Sequence, residues 1–415
     1  MHLPWKYTVI FGIILIHVFI LAIFFAPDLL AHFRKDAPSP QQIQPSSTDE
    51  PPVEQPPSTP VLEDPVEPPK NVAANTTTTP PKTPAESPSA TPPKNVAANT
   101  TTTPPKTPAG GPSATPPSAA SHGAAPMSKL KPYRQGHYHQ ALQTLPKNLA
   151  TAVGEVRSGI LIDLDTHAIL WEKDSSKVYP IASLTKMLTS LMLLQRVEST
   201  PGLSLDGTTI KITKDDRAYF KNNKISGVYL DEGESFTLQE YLKCMIISSA
   251  NDAAYIVGKY LGDGKIETGI QRMNEQAKKL GLNDMSFHNS NGLPIDRSKD
   301  QRIENTGSAL SIAYLAECVM ASPEYMRWAG TARDSIMHRN KPFDLNSTNH
   351  LLRNRVPGVT GLKTGYTNTA GYCIAVSCTR EKRTMLLVVM GVRNRDRRDT
   401  IARQLLDWAF QQPAK

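Results

Sequence analysis

The sequence has few cysteines and lacks the spacing that marks a disulfide framework or a metal site. Its four cysteines are spread over the second half of the chain: Cys244, Cys318, Cys373 and Cys378. This scatter excludes a small disulfide-stapled scaffold and gives no zinc-binding pattern. Because each cysteine lies in an apolar stretch, we expect free, buried thiols, with a single disulfide left open.

The chain also lacks a basic stripe with interleaved aromatic residues, which is the pattern of a nucleic-acid-binding surface. Its net charge of +8 over 415 residues is moderate. A charge of this size suits work near anionic lipid or an acidic wall polymer. We therefore expect no nucleic-acid partner.

Periodic apolar residues are missing from residues 36–126, which are rich in Pro, Thr, Ala, Ser and Lys. Within this stretch the unit at 68–75 recurs at 92–99. Such polar, proline-rich repeats contain nothing that forms a hydrophobic core. The composition predicts a disordered, semi-extended tether over residues 36–144.

One long hydrophobic run precedes this tether. Residues 8–26 are apolar apart from His17, with Lys6 before them and Arg34 and Lys35 after them. About 19 apolar residues are enough to span a bilayer core, and the end of the run is a poor cleavage site. We predict an uncleaved signal anchor within residues 1–35, with a cleaved signal peptide as the alternative.

Strand-like segments lie at both ends of residues 145–415, and helical segments lie between them. The predicted strands are 156–164, 168–172, 372–379 and 384–392, with short strands or edges at 209–213 and 228–230. The predicted helices are 183–194, 237–246, 252–261, 271–280, 308–320 and 399–410. This order predicts a mixed α/β domain in which one antiparallel sheet, built from both termini, carries an inserted helical subdomain.

Ser183 and Lys186 stand three residues apart on one face of an apolar predicted helix. A lysine in a buried helix is costly to keep charged, so its pKa should fall toward that of a useful base. The pattern suggests an acyl-transfer nucleophile, Ser183, with Lys186 taking its proton. The alternative is an N-cap serine followed by a lysine that extends toward solvent.

Two further short motifs follow in the chain: Ser249-Ala250-Asn251 in a turn between two helices, and Lys363-Thr364-Gly365 on a predicted edge strand. Together the three motifs fit the S-x-x-K, S-x-N and K-T-G set of serine acyl transferases that bind penicillin. Each motif is weak alone. Their order along the chain gives the set its weight.

From about residue 147 to 410 the chain resembles a D-alanyl-D-alanine carboxypeptidase, a low-molecular-mass penicillin-binding protein. The matching runs are residues 179–187, 249–254, 358–367 and 370–373. The resemblance implies a β-lactamase/transpeptidase-like fold for residues 145–415. It also implies that Ser183 attacks the bond between two terminal D-alanines, that Lys186 is the general base, that Ser249 relays a proton to the leaving nitrogen and that Asn251 holds the peptide amide.

The same resemblance assigns roles near the third motif. Lys363 would tune the field at the substrate carboxylate and Thr364 would hydrogen-bond it. The backbone N–H of Tyr366 would join that of Ser183 in an oxyanion hole, and a side chain at Gly365 would obstruct the substrate. Arg398 resembles a family arginine near the carboxylate end of the substrate, or else belongs to the solvated run 393–398.

The resemblance implies peptidoglycan stem peptides as substrates, β-lactams as covalent inhibitors, and no metal or organic cofactor in the reaction. With the N-terminal anchor it implies a single-pass protein of a bacterial inner membrane, with its catalytic domain on the periplasmic side. Because the chain ends at Lys415, we expect neither the β-rich C-terminal domain nor the membrane-binding tail of some family members.

Three alternative functions share these residues in part. A D,D-endopeptidase, which cuts cross-links, would have the same site. A class A β-lactamase needs a glutamate followed three residues later by asparagine, and no glutamate between Asn251 and Lys363 has one. A non-catalytic β-lactam sensor would need a signalling domain, and only a few residues precede the apolar run.

Overall fold

The computed structural model describes residues 127–298 and 301–413. The predicted anchor and residues 36–126 of the predicted tether lie outside the described residues. Among the helices that are described, none combines the length and the apolar character needed to cross a membrane.

The described strands are mostly short, and six of them form one sheet. Their bounds in chain order are β1 His139–Gln140, β2 Ser158–Asp163, β3 Ala168–Lys173, β4 Tyr179–Pro180, β5 Thr209–Lys211, β6 Ser235–Thr237, β7 Ile295–Ser298, β8 Gln301–Ile303, β9 Thr306–Gly307, β10 Arg333–His338, β11 Lys341–Asn346, β12 Val359–Thr367, β13 Gly371–Arg380 and β14 Arg383–Val392.

The helices fall mainly between β4 and β12. They are α1 Lys147–Ala152, α2 Lys186–Ser199, α3 Lys214–Asn222, α4 Leu238–Ile246, α5 Asn251–Leu261, α6 Ile266–Lys279, α7 Ala309–Met320, α8 Pro323–Ala329, α9 His350–Arg353 and α10 Arg395–Ala409. Short 3₁₀ turns occupy Met127–Lys129, Val153–Glu155 and Ala182–Thr185.

The sheet has the order β1-β3-β2-β14-β13-β12, so its strands come from both ends of the described chain. All neighbours pair antiparallel except β1, which pairs parallel to β3. Alternation along β14 sends Leu386 and Val388 to the core shared with the helical subdomain, and Leu387 and Val389 to the core under α10. The mixed α/β fold with an antiparallel-rich sheet is confirmed.

The two predicted hairpins are confirmed as β2–β3 and β13–β14, and the K-T-G motif lies on the edge strand β12. The predicted capping box is present, since the Thr237 side chain accepts from the backbone of Glu240 and the Glu240 side chain accepts from that of Thr237. All four cysteines are free and buried, as expected.

Several boundaries differ from the sequence predictions. Residues 228–230 form a loop, not a strand, because a buried aspartate binds their backbone N–H groups; β6 pairs with β5 instead. The closing helix begins at Arg395 rather than 399, because the Asn394 side chain caps it. Helix α3 and the β10–β11 hairpin were not predicted, since both carry many polar residues.

Candidate active site

Ser183 lies in the 3₁₀ turn Ala182–Thr185, directly before α2, rather than inside one continuous helix as predicted. Ala182 has a left-handed φ of 47°, which is uncommon for a residue with a side chain. The turn packs against Gly292, where a Cβ would lie 2.0 Å from the Ala182 carbonyl oxygen. This close backbone packing holds Ala182, directly before the serine, in a strained conformation of the kind found at functional sites.

Lys186 is the first residue of α2 and is 1% exposed. Its Nζ lies 2.9 Å from Ser183 Oγ, 2.7 Å from Asn251 Oδ1 and 2.6 Å from the carbonyl oxygen of Asn291. Three oxygen atoms therefore surround the amine. The alternative in which this lysine extends toward solvent is excluded.

The surroundings of Lys186 favour its neutral form. Burial is the main reason that its pKa is lowered well below the usual value, and the positive charge of Lys363 lowers it further. The negative charge of Asp252 acts in the opposite direction. The sequence prediction of a depressed lysine pKa agrees with this environment.

The second motif lies between α4 and α5. Ser249 has a left-handed φ of 62°, and Asn251 begins α5. Besides accepting from Lys186, the Asn251 amide donates to Ser226 Oγ at 3.0 Å. Asn251 thus links the lysine of α2 to the loop that precedes β6.

Asp252, which the sequence analysis did not single out, fixes that loop. It is 1% exposed, and its carboxylate accepts from the backbone N–H groups of Val228 and Leu230, both at 3.3 Å. Burial raises its pKa, while these backbone donors act to lower it. Between the two anchored residues, Tyr229 has a φ of 61° and is 61% exposed.

The third motif approaches Ser183 along β12. A Cβ on Gly365 would lie 3.1 Å from both the Ser183 nitrogen and the Ile181 carbonyl oxygen, so a larger residue would push strand and turn apart. Thr364 donates its hydroxyl to Thr348 Oγ1 at 2.7 Å. The Tyr366 side chain is half exposed and stacks on Tyr372.

Lys363 is 1% exposed, and its Nζ donates to the carbonyl oxygen of Thr364 at 3.0 Å. Burial, with a contribution from the charge of Arg398, lowers the pKa of Lys363 to about 7. Both buried lysines of the site therefore have lowered pKa values, and the positive charge of Lys363 contributes to that of Lys186.

Arg398 lies within α10, not before it as predicted, and it is 2% exposed. Its guanidinium pairs with Asp399 at 2.6 Å and donates to the carbonyl oxygen of Cys373 at 3.2 Å. The solvated alternative for this residue is wrong. Its positive charge affects the site by lowering the pKa of Lys363.

Residues 288–293 also build the site, and the sequence analysis missed them. The Asn305 side chain donates to Thr185 Oγ1 at 3.0 Å and to the Asn289 carbonyl at 2.9 Å, which ties this segment to the serine turn. The sequence feature that could have indicated this segment is the Asn-Ser-Asn-Gly run at 289–292. This composition is typical of turns whose side chains hydrogen-bond to nearby backbone groups.

Comparison with known proteins agrees with this geometry. The profile of the D-alanyl-D-alanine carboxypeptidase family matches residues 147–394. The chain is 31% identical over 269 residues to D-alanyl-D-alanine carboxypeptidase DacF of Bacillus subtilis (strain 168), covering 64% of this chain and 65% of that protein. It is 26% identical over 238 residues to a D-alanyl-D-alanine endopeptidase of Pseudomonas aeruginosa, covering 56% of this chain and 70% of that protein.

Solved structures show the same fold. The Streptomyces K15 DD-transpeptidase matches with a TM-score of 0.55 at 22% identity, covering 62% of this chain and 98% of that one. A D-alanyl-D-alanine carboxypeptidase from Mycobacterium tuberculosis H37Rv matches with a TM-score of 0.55 at 24% identity, covering 63% and 92%. The chain spans just under two thirds of the length of DacF. Because the family profile covers more than half of the sequence, this chain belongs to the D-alanyl-D-alanine carboxypeptidase family.

Proposed function

We propose that this protein is a serine-type D-alanyl-D-alanine carboxypeptidase that removes the terminal D-alanine from peptidoglycan stem peptides. Ser183 Oγ attacks the carbonyl carbon of the penultimate D-alanine while Lys186 takes the hydroxyl proton. The C–N bond then breaks, Ser249 passes a proton to the leaving nitrogen, and D-alanine departs. Water hydrolyses the resulting Ser183 ester and leaves the shortened stem with a free carboxylate.

The observation that carries this proposal is the environment of the Lys186 amine. A neutral amine has two hydrogens and one lone pair. Asn251 Oδ1 and the Asn291 carbonyl can only accept, so they take the two hydrogens. Ser183 Oγ lies 2.9 Å from the amine nitrogen. With both amine hydrogens used elsewhere, the proposed neutral state leaves the lone pair to accept the Ser183 hydroxyl proton. This is the arrangement a general base needs before acylation.

The remaining groups suit the carboxylate and the developing oxyanion of the substrate. The side of β12 at Gly365 faces the Ser183 nitrogen, which supports a role for the backbone N–H groups of Ser183 and Tyr366 in an oxyanion hole. Lys363 and Thr364 follow one another on the same strand and offer an amine and a hydroxyl to a carboxylate. Arg398 adds positive charge behind them.

Product analysis tests the proposal directly. Purified protein is incubated with a stem pentapeptide, and the products are identified by mass. Carboxypeptidase activity predicts free D-alanine and a peptide shortened by one residue, both absent with Ser183→Ala. An intact pentapeptide after long incubation with folded wild-type protein would contradict it.

An endopeptidase activity is the second candidate, because a relative with that name matches over a larger share of its own length than DacF does. The same chemistry would act on a D-alanyl bond in a cross-link. Incubation with cross-linked dimers separates the two: monomers without free D-alanine indicate an endopeptidase, and free D-alanine with intact dimers indicates a carboxypeptidase.

We further propose that the domain works outside a bacterial inner membrane, held by the apolar segment 8–26 through the proline-rich tether. The length of the apolar run and a substrate that is found in the wall support this. Fractionation of cells that express the full chain should place it in the membrane, and release by high salt alone would contradict the anchor. Deletion of residues 36–126 should leave activity on soluble peptides unchanged, because the residues assigned to the site all lie after it.

A further inference from the structure

A cluster of two histidines and a glutamate lies outside the active site, where the segment before the family-matched region meets the sheet. One ring nitrogen each of His137 and His167 and one carboxylate oxygen of Glu317 lie within 4.8 Å of one another. His137 is in the segment before β1, His167 is in the turn between β2 and β3, and Glu317 is in α7. The three ligand atoms therefore come from three different parts of the fold.

The distance between His137 and Glu317 suits two ligands of one small metal ion. His137 Nε2 lies 3.1 and 3.2 Å from the two oxygens of Glu317. Tetrahedral coordination at about 2.0–2.1 Å from the metal places neighbouring ligand atoms about 3.3 Å apart. The His137 and Glu317 side chains are 26% and 28% exposed, which leaves a path for an ion and room for a water as fourth ligand.

His167 supplies an independent indication. Its Nδ1 is buried and has no hydrogen-bond partner among the described residues. Its φ of 58° places it in the left-handed region, which histidine, like asparagine, adopts in tight turns. The unsatisfied ring nitrogen, which is the observation that needs an explanation, is accounted for by a ligand bound to that ring.

A neighbouring tyrosine orients the glutamate. The Tyr138 hydroxyl donates to Glu317 Oε2 at 2.7 Å, so one carboxylate oxygen is held while the other remains for a metal. Ligating carboxylates commonly have such an outer hydrogen bond.

Two other groups of histidine and acidic residues in the described part of the chain are less suited. Asp231 already pairs with Arg217 and Arg339, and Asp399 pairs with Arg398. A metal would have to displace these cations. The partners of Glu317, by contrast, are His137 and Tyr138, which are a potential co-ligand and a neutral donor.

We propose that His137, His167 and Glu317 form a Zn²⁺ site that fastens residues 127–146 to the catalytic domain. Two imidazoles and a carboxylate are a donor set that zinc accepts, with water completing the tetrahedron. The same segment donates the N–H of His139 to the carbonyl of His167 at 3.0 Å and accepts from Gln195 of α2 at the Met127 carbonyl. The metal would thus join this segment to the β2–β3 turn and to α7, while the bond from Gln195 joins it to α2.

Zinc binding to the full chain, prepared without a histidine tag and stripped with chelator, tests this site. Competition against a colorimetric zinc chelator should give one zinc per chain, and zinc should raise the melting temperature by about 5 °C. His167→Asn, which suits the left-handed turn, and Glu317→Gln should each weaken binding at least about tenfold and abolish the melting shift. The exposed His139→Asn is the matched control and should bind as the wild type does.

Circular dichroism and labelling with a fluorescent penicillin show that each variant is folded, so loss of zinc is not confused with loss of structure. Labelling that fails in every protein, wild type included, bears on the proposed function and not on the metal site. The proposed site would be overturned if wild-type protein bound no zinc from a chelator-buffered solution that contains zinc in 100-fold excess over the protein. Unchanged zinc affinity in both His167→Asn and Glu317→Gln would also overturn it.

Discussion

Lys186 Nζ lies 2.7 Å from Asn251 Oδ1, so the first residue of α2 and the first residue of α5 meet through their side chains. This bond joins two motifs that are 65 residues apart in the sequence. It also uses one hydrogen of the lysine and so directs the lone pair toward Ser183. The catalytic behaviour that we expect of this protein depends on that arrangement.

Replacing Lys186 by arginine should slow acylation strongly, because it places a permanent positive charge where a neutral amine is needed. A guanidinium cannot be deprotonated in a protein, so it cannot take the Ser183 proton. We expect the rate of labelling by a fluorescent penicillin to fall by about 10²–10⁴-fold, the usual contribution of general base catalysis. Lys259→Arg, which lies outside the site and pairs with Asp216, is the control. A Lys186→Arg rate within threefold of wild type would refute the role of Lys186 as base.

The three catalytic motifs could be found from the sequence because each is local, but what supports them is not. The lowered pKa of Lys186 was predictable from an apolar helix. The acceptor at Asn291 was not, since it comes from a loop 105 residues away and acts through its backbone carbonyl. The same holds for Asp252, whose role depends on how the chain folds back at Val228.

The sheet shows the same division. Hairpins such as β13–β14 have strong alternating or apolar runs joined by short turns, which is a local signal. The parallel pairing of His139 with Ala168 in β1 and β3 has no comparable signal, because two residues form the whole strand. The burial of Arg398 was also hidden, since its neighbours in the run 393–397 are polar and its partners come from β13 and α10 itself.

Lys363→Met should stabilise the fold and damage activity. The folded-state pKa of about 7 lies below the unfolded value, so between these two values the unfolded chain binds more protons and stability rises with pH. Below about pH 7 Lys363 is charged in both states, and the folded state bears the full cost of burying that charge. Each pKa unit corresponds to about 1.4 kcal/mol, so we expect Lys363→Met to gain a few kcal/mol of unfolding free energy at pH 6 and to lose most of that pH dependence.

Urea unfolding at pH 6 and pH 9 measures this effect, with the exposed Lys341→Met as the control. Penicillin labelling on the same samples reports the loss of activity. If wild type and Lys363→Met are equally stable at both pH values, the folded protein does not lower the pKa of Lys363.

Asp252→Asn should shift the pH profile of acylation. The Asp252 charge raises the pKa of Lys186, so its removal lowers that pKa, and the acid limb of the acylation profile should move to lower pH. The substitution also weakens the bonds to Val228 and Leu230, for which we expect a loss of about 1–3 kcal/mol of stability.

Asp216→Asn is a suitable comparison, because Asp216 is also buried but pairs with Lys259. It should lose stability and leave the acid limb in place. If the acid limb of Asp252→Asn coincides with that of wild type, the Asp252 charge does not affect the pKa of Lys186.

Gly365→Ala should slow acylation with a small cost in stability. The added Cβ would lie 3.1 Å from the Ser183 nitrogen and 3.2 Å from Ala182 Cβ, so β12 or the serine turn must move by a few tenths of an ångström. A misplacement of about 1 Å costs about 10²-fold in rate, so we expect this smaller shift to slow acylation by several-fold. Gly154→Ala, where a Cβ meets nothing within 4 Å, should be neutral. Unaltered labelling by Gly365→Ala would mean that the strand does not position the oxyanion site.

The most direct test of the account is the location of the covalent bond formed with a β-lactam. Wild-type protein is acylated with penicillin, digested, and mapped by mass spectrometry beside Ser183→Ala and Ser190→Ala. Ser190 is a buried serine of α2, the helix that follows the Ser183 turn. We predict one adduct on the peptide that contains Ser183, its persistence in Ser190→Ala, and its complete loss in Ser183→Ala. An adduct on another residue, or undiminished labelling of a folded Ser183→Ala protein, would contradict the central claim that Ser183 is the nucleophile.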